Sequence, residues 1–390
     1  MIRKLLALLL CLVCISAQAD EIIVATDLHY ISPELTDNGP LFTQMIENGD
    51  GKLTLYSEEI VDAFLAEVLS VKPAALILTG DLTFNGALQS HRALAAKLVA
   101  VQDAGIPVLV LPGNHDVYNN NAAFFSGNTY QRVPFAASAD FESIYHAFGF
   151  GGALSRDDAS LSYVYELPDG SRVLMLDFNT AAFPCGYAPS TLQWIREQLQ
   201  QGITLAAGHQ NLMQHTIFGT GYVVDGAAAL LDLLEQYHVP LFLSGHMHLQ
   251  HISQWQSVTE IATSSLCVAP CQYGIVDLSP LSYRTRKLDM AAWAQSVGST
   301  DVNLQNFDAY AAEFMDTKTR TSFGDYPIEM LDYAREANRC YFSGRMDQFT
   351  VVDSLSTDWL LSGSFFGYYL ASMEKDFGKN FTVWNSTENP

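Results

Sequence analysis

The stretch VLVLPGNHDVY, residues Val108 to Tyr118, runs a short apolar strand into Pro112-Gly113 and then sets Asn114, His115 and Asp116 side by side. A turn needs glycine and one polar side chain, not three polar side chains in a row. Four other apolar segments end in the same manner. Ile22 to Thr26 leads into Asp27 and His29, Ala75 to Thr79 into Gly80-Asp81, Ile203 to Ala206 into His209, and Leu241 to Leu243 into Gly245-His246-Met247-His248. Continuously apolar strands are buried on both faces, and in an open α/β sheet the carboxyl edge is where sites are built. The pattern therefore predicts an α/β fold with its chemistry on one edge.

Two aspartates, one asparagine and four histidines make a donor set of hard oxygens and borderline nitrogens. Such a set suits Zn, Mn or Fe, with no cysteine ligand needed. The spacings Asp-x-His and His-x-His place alternate residues of an extended segment on one side, so both donors can reach one metal pair. Gly80, Gly113 and Gly245 stand just before ligands, where backbone must approach closely or take positive φ. An isolated buried histidine is usually a hydrogen-bonded core residue, and His91, His146, His215, His238 and His251 are read in that way. Of the polar residues outside the ligand set, His215, otherwise read as core, and Asn211 are the first candidates for a place beside the ligands or the substrate.

In order, Asp27-Leu28-His29, Gly80-Asp81, Gly113-Asn114-His115-Asp116, His209 and Gly245-His246-Met247-His248 resemble the five blocks of the calcineurin-like metallophosphoesterases. The resemblance covers about Glu21 to Leu281 and is nearest to cyclic-nucleotide-phosphodiesterase-like and acid-sphingomyelinase-like bacterial members. It implies a four-layer α/β/β/α sandwich and a two-metal phosphoester hydrolase. Carried over residue by residue, it implies Asp27, His29 and His248 on one metal, Asn114, His209 and His246 on the other, and Asp81 bridging them. A metal-bound hydroxide would attack phosphorus, His115 would protonate the leaving oxygen, and Asp116 would orient the His115 ring. After Gly80-Asp81 comes Leu82-Thr83-Phe84-Asn85, without the tyrosine that purple acid phosphatases use as an iron ligand. His209 is followed by Gln210 where many relatives carry a second histidine.

Further strands are expected at Val173 to Leu176, Thr259 to Ala262 and Tyr273 to Leu278. A helix is expected from Ser57, as N-cap, to Pro73, and a second from Ser90 to Gln102. The stretches Asp37 to Lys52 and Val117 to Ser138 read as long binding loops. Beyond about Ala291 strand signals fade and helical patterns appear at Gln305 to Met315, Ile328 to Ala337 and Asp358 to Met373. The chain divides accordingly into residues 20–285, the phosphoesterase domain, and 286–390, a helical extension.

Arg3 and Lys4, the apolar run Leu5 to Ile15 and Ala17-Gln18-Ala19 match a secretory signal peptide over residues 1–19, with Asp20 as the mature N-terminus. A periplasmic or secreted protein without a stable membrane anchor is the expectation. In that oxidising setting Cys267 and Cys271 could close a small loop and Cys185 could bridge Cys340, though four cysteines permit other pairings. The formal charge of −22 becomes −24 once Arg3 and Lys4 are removed. Such a surface repels polyanions, so the expected partner is a small phosphorylated substrate and not a long nucleic acid. No oligomeric interface is specified by the pattern. A metal-holding binding protein without catalysis is the competing reading, and His115 beside a saturated metal pair argues against it. Hydrolysis of a pyrophosphate or another ester on the same fold is the other alternative.

Overall fold

The computed structural model describes residues 21–387, so the expected signal peptide lies outside the described residues. Two β-sheets pack face to face. The first is six-stranded, in the order β15-β14-β13-β1-β2-β3, from β1 (Glu21–Ala25), β2 (Ala75–Leu78), β3 (Val108–Val110), β13 (Gln272–Leu278), β14 (Leu281–Lys287) and β15 (Val383–Asn385). The second is seven-stranded, in the order β11-β12-β10-β9-β8-β7-β6. It is built from β6 (Ser155–Arg156), β7 (Tyr163–Glu166), β8 (Arg172–Leu176), β9 (Leu205–Gly208), β10 (Leu241–Ser244), β11 (His251–Trp255) and β12 (Val258–Ala262). A separate hairpin joins β4 (Ala123–Ser126) to β5 (Thr129–Arg132).

Side-chain alternation sorts the layers. On β8, Val173 and Met175 enter the core shared by the two sheets, while Leu174 and Leu176 pack with Ile195 and Leu230 from the helices Pro189–Leu199 and Ala227–Gln236. On the other side, helix Ser57–Val71 lays Ile60, Val61 and Phe64 on the first sheet, with the Phe64 ring 5.2 Å from Tyr273. Tyr163 of β7 donates its hydroxyl to the Val110 carbonyl of β3 at 3.0 Å, which ties one sheet to the other. This is the four-layer α/β/β/α arrangement expected. Strands β1, β2 and β3 run parallel, as do β8, β9, β10 and β12, so the carboxyl ends of β1, β2, β3, β9 and β10 open on one rim.

All eight expected strands are present, and several details differ. Ser57 does not cap its helix: Tyr56 occupies that position and the Ser57 hydroxyl accepts from the Ile31 amide at 3.3 Å. The 37–52 stretch contains helix Pro40–Glu47, and the 117–138 stretch contains the β4–β5 hairpin. The region from Met290 to Asp376 is helical, and the helical pattern expected over 358–373 is two helices, Asp353–Leu361 and Phe365–Ser372. The chain then returns to the first sheet, where β15 pairs with β14, a strand that itself spans the 285/286 division. The expected disulfides do not form: Cys185, Cys267, Cys271 and Cys340 are free thiols. Cys185 sits in a loop against the Tyr222 and Val223 carbonyls, whereas Cys340 lies beside Glu336 on helix Ile328–Ser343. Cys267 and Cys271 are buried in the main apolar core, where burial pushes the Cys267 thiol up to about 12. Among the described residues, no helix is long and apolar enough to cross a membrane.

Candidate metal centre

Backbone hydrogen bonds fasten together, in pairs, four of the loops leaving the five strands. Past β1 and β2, the Asp27 amide donates to the Gly80 carbonyl and the His29 amide to the Asp81 carbonyl, both at 3.0 Å; past β9 and β10, the Gly245 amide donates to the His209 carbonyl at 3.0 Å. The donors do not converge along extended segments, as their spacing suggested. Asp27, His29, Asp81, His246 and His248 all take left-handed backbone, with φ of 53°, 43°, 48°, 70° and 61°. Each such residue costs about 1–3 kcal/mol, so the packed strands beneath must hold the loops in place. Gly113 and Gly245 serve close approach: a Cβ on the first would overlap the Asp81 carboxylate, and on the second the Thr26 hydroxyl.

Two donor groups result. Asp27, His29, Asp81 and His248 form one, and Asp81, His209 and His246 the other. In the first, His29 Nε2 lies 3.1 Å from His248 Nε2 and 3.7 Å from Asp27 Oδ1, which is 3.3 Å from His248 Nε2. In the second, His209 Nε2 lies 3.3 Å from His246 Nδ1, 3.4 Å from Asp81 Oδ1 and 3.2 Å from Asn114 Oδ1. All seven expected ligands are thus brought together. Metal bonds of about 2.0–2.2 Å set neighbouring donors about 3.0–3.6 Å apart, which these spacings match. Asp27 Oδ1 is fully buried with no hydrogen-bond partner, while Oδ2 is held by the Thr26 hydroxyl at 2.8 Å and the His246 amide at 2.9 Å. A buried carboxylate oxygen without a donor is costly unless a cation faces it. The residues therefore fit a pair of metal ions.

The electrostatics agree. Burial pushes the Asp27 and Asp81 carboxyls up, but the imidazoles around them outweigh it: His248 leaves Asp27 below the usual range, and His209 and His115 leave Asp81 well below it. Burial, then Lys52, holds His29 well below its usual value, and burial, then His209, takes His246 down to about 3. Ionised carboxylates and neutral imidazoles are the forms that bind metal. His209 differs: burial opposes its proton, yet the Asp81 carboxylate prevails and carries it up to about 9.

His115 is beside the donors and not among them. Its Nδ1 donates to the Phe84 carbonyl at 2.8 Å, its Nε2 lies 3.9 Å from Asp81 Oδ2, and its ring is 4.9 Å from that of His29. Asp116 does not orient this ring, which corrects the role expected for it. Fully buried, it accepts from the Leu82 amide at 3.0 Å, the Thr83 amide at 2.8 Å, the Thr83 hydroxyl at 2.9 Å and the Gly113 amide at 2.9 Å. It braces the loop after β2 against the loop after β3.

Other expectations divide. Asn211 donates to the Ser244 hydroxyl at 2.8 Å and the Gly245 carbonyl at 3.3 Å, steadying the strand end that carries His246. His215 instead pairs with His251 at 3.0 Å and lies 3.4 Å from Glu260, and His91 is a buried residue bonded to Tyr145 and the Asp116 carbonyl. His146 and His238 are exposed and outside both donor groups. Sequence reasoning missed Glu260 and Lys52. Glu260 is a fully buried acid on β12 that accepts from the Leu212 and Met213 amides and the Ser244 hydroxyl, and a lone charge inside an apolar strand was its signal. Lys52, buried and paired with Asp50 at 2.7 Å, carried no such mark in its Asn- and Gly-rich surroundings.

The chain is similar in sequence to proteins of known name. A protein from Vesicomyosocius okutanii, named "Probable cyclic nucleotide phosphodiesterase", is 23% identical over 185 residues, 47% of this chain and 66% of its own length. One of the same name from Ruthia magnifica is 31% identical over 87 residues, 22% of this chain and 36% of its own, so the chain matches less than two thirds of either relative. A third of that name, from Rhodococcus erythropolis, is 26% identical over 239 residues, 58% of this chain and 68% of its own. Among solved structures, a dimetal phosphatase from Danio rerio superposes with a TM-score of 0.48 at 14% identity, covering 68% of this chain and 95% of that one. The family model of the calcineurin-like phosphoesterases matches residues 21–250, which span all five loops and more than half of the sequence, and the chain belongs to that family.

Proposed function

We propose that this protein is a metal-dependent phosphoester hydrolase of the periplasm or the secreted fraction, acting on small phosphorylated molecules. Two ions of Mn, Fe or Zn would be held, one by Asp27, His29 and His248 and one by Asn114, His209 and His246, with Asp81 between them. The observation that carries this reading is that two donor groups share Asp81, whose Oδ2 faces His29 at 3.8 Å and whose Oδ1 faces His209 at 3.4 Å. When bound there, the ions supply adjoining positive charge for phosphoryl oxygens and acidify water at neutral pH.

The chain's own residues do the rest. Asp81 also accepts the His115 backbone amide at 2.8 Å, so the bridging carboxylate and the His115 main chain are set by one bond. The Phe84 carbonyl fixes Nδ1 of His115 as a donor, and Nε2 is therefore the atom that passes a proton to a departing oxygen. A formal charge of −22 favours small esters over long nucleic acids, and the phosphodiesterase names of the relatives support a diester among them. Residues 20–285 carry the chemistry in this reading, with 286–390 as the helical extension.

The test is to purify the chain from Asp20, measure its metal, and assay a phosphomonoester, a linear phosphodiester and 3′,5′-cyclic AMP. Turnover that needs about two metals per chain supports the reading; no turnover of any ester after Mn or Zn loading overturns it.

A further inference from the structure

A cavity of about 400 Å³ opens directly beside His115. Its walls come from the two stretches whose loops were expected to bind ligand. It is lined by Leu41 and Met45 of helix Pro40–Glu47, by Phe125, Tyr130 and Arg132 of the β4–β5 hairpin, and by Phe84 and Asn85. The walls are already assembled. Asp37 accepts from the Gly127 amide at the hairpin turn at 2.8 Å, and Phe42 packs 4.9 Å from Phe125 and 5.9 Å from Phe84. Pockets of about 300–1,000 Å³ with mostly apolar walls and a few placed polar groups are the usual form of a small-molecule site.

The chemistry of the lining narrows the occupant. Three aromatic side chains line the cavity, and among the described residues no carboxylate does. Among the described residues the one charged side chain in the lining is Arg132, whose guanidinium lies 5.3 Å from the Tyr130 ring centre. A cationic headgroup would meet that guanidinium with no acid to receive it. Asn85, which is 3% exposed, gives its amide nitrogen to the Asn121 carbonyl at 3.2 Å and leaves Oδ1 without a partner. Because His115 lines the cavity, a leaving group seated there would be joined to phosphorus through an oxygen within reach of the His115 ring.

We infer that this cavity is the leaving-group pocket, and that it takes an uncharged planar ring, aryl or heterocyclic, in preference to a cationic or a minimal alkyl group. The inference rests on the phosphoester reading above and adds the substrate class to it.

Phosphonates that cannot be hydrolysed separate binding from turnover. Calorimetry on the Mn-loaded full chain would compare methylphosphonate, 2-aminoethylphosphonate, benzylphosphonate and the methylene phosphonate analogue of AMP. Burying one ring predicts that benzylphosphonate and the AMP analogue bind at least about tenfold more tightly than methylphosphonate. The aminoethyl compound should gain nothing over methylphosphonate. Leu41→Trp, or Met45→Trp if the first variant fails to fold, fills the cavity and should reduce the benzyl-to-methyl preference to under about twofold. A further gain for the AMP analogue over the benzyl compound would assign the Asn amides to a heterocycle, and equal binding would assign the pocket to the ring alone. Equal affinity for methyl and benzyl compounds, preference for the aminoethyl compound, or a preference that survives the filled cavity overturns the pocket and leaves the hydrolase reading standing. Failure of methylphosphonate itself to bind the metal-loaded protein overturns both.

Discussion

Asp81 stands between His29 and His209, with one carboxylate oxygen 3.8 Å from Nε2 of the first and the other 3.4 Å from Nε2 of the second. It is the one residue common to both donor groups. Replacing it tests whether the two groups act as one centre. Asp81→Asn keeps an acceptor for the His115 amide but removes the shared negative charge. Metal content is expected to fall from about two ions per chain to about one or fewer, with turnover reduced more than about a hundredfold. Elemental analysis and steady-state kinetics check it; a variant with full metal content and near-normal rate would show that Asp81 is not the bridge.

His115 lies beside both donor groups and in neither, so under the proposed proton-transfer role its loss should depend on the leaving group and spare the metals. In His115→Gln, kcat for an alkyl ester is expected to fall about 10²–10⁴-fold, and far less for a 4-nitrophenyl ester that departs without a proton. An equal loss for both esters, or lost metal, would assign His115 to binding instead.

Asp116 makes a different prediction from the one its place in Gly113-Asn114-His115-Asp116 suggested. Four donors from Leu82, Thr83 and Gly113 end on its buried carboxylate. Each buried donor left unpaired costs about 1–3 kcal/mol, so Asp116→Ala should lose at least about 3 kcal/mol of stability. Urea denaturation monitored by fluorescence is the measurement. Unchanged stability with abolished turnover would return Asp116 to a role on the His115 ring.

The division between what was legible and what was not follows the range of the interactions. The five strand ends stood out because ligand-type residues follow apolar runs abruptly, and the central strands because burial on both faces leaves them continuously apolar. Strands β7 and β14 were missed because YVYE and LSYRTRK mix polar and apolar positions at a sheet's margin. Strand β15 was missed because Val383–Asn385 pairs with residues about a hundred positions earlier, and nothing local announces that. An even cysteine count predicts pairing only if the thiols meet, and Cys185 and Cys340 lie on unlike elements. The Asp116 error has the same origin. Two of its four donors are the Leu82 and Thr83 backbone amides of another loop, which side-chain patterns do not reveal.

His209 links metal loading to pH. Burial disfavours a proton on its ring, but the Asp81 carboxylate 3.4 Å away outweighs burial and holds it up to about 9 in the absence of metal. A metal at Nε2 must displace that proton, so affinity should rise about tenfold per pH unit between about 7 and 9 and level off above. Calorimetry at pH 7.5 in buffers of unlike protonation enthalpy should report about one proton released per metal at this position. The sign for folding is the opposite one. Because the folded value exceeds the ordinary 6.5, the metal-free chain has this stabilisation in full below about 6.5 and loses it as pH rises through about 9. Metal-loaded protein, with the proton already gone, should show no such decline, and Asp81→Asn should flatten the dependence of the metal-free chain. An affinity that stays constant from pH 7 to 9 would falsify the coupling and with it the placement of a metal on His209.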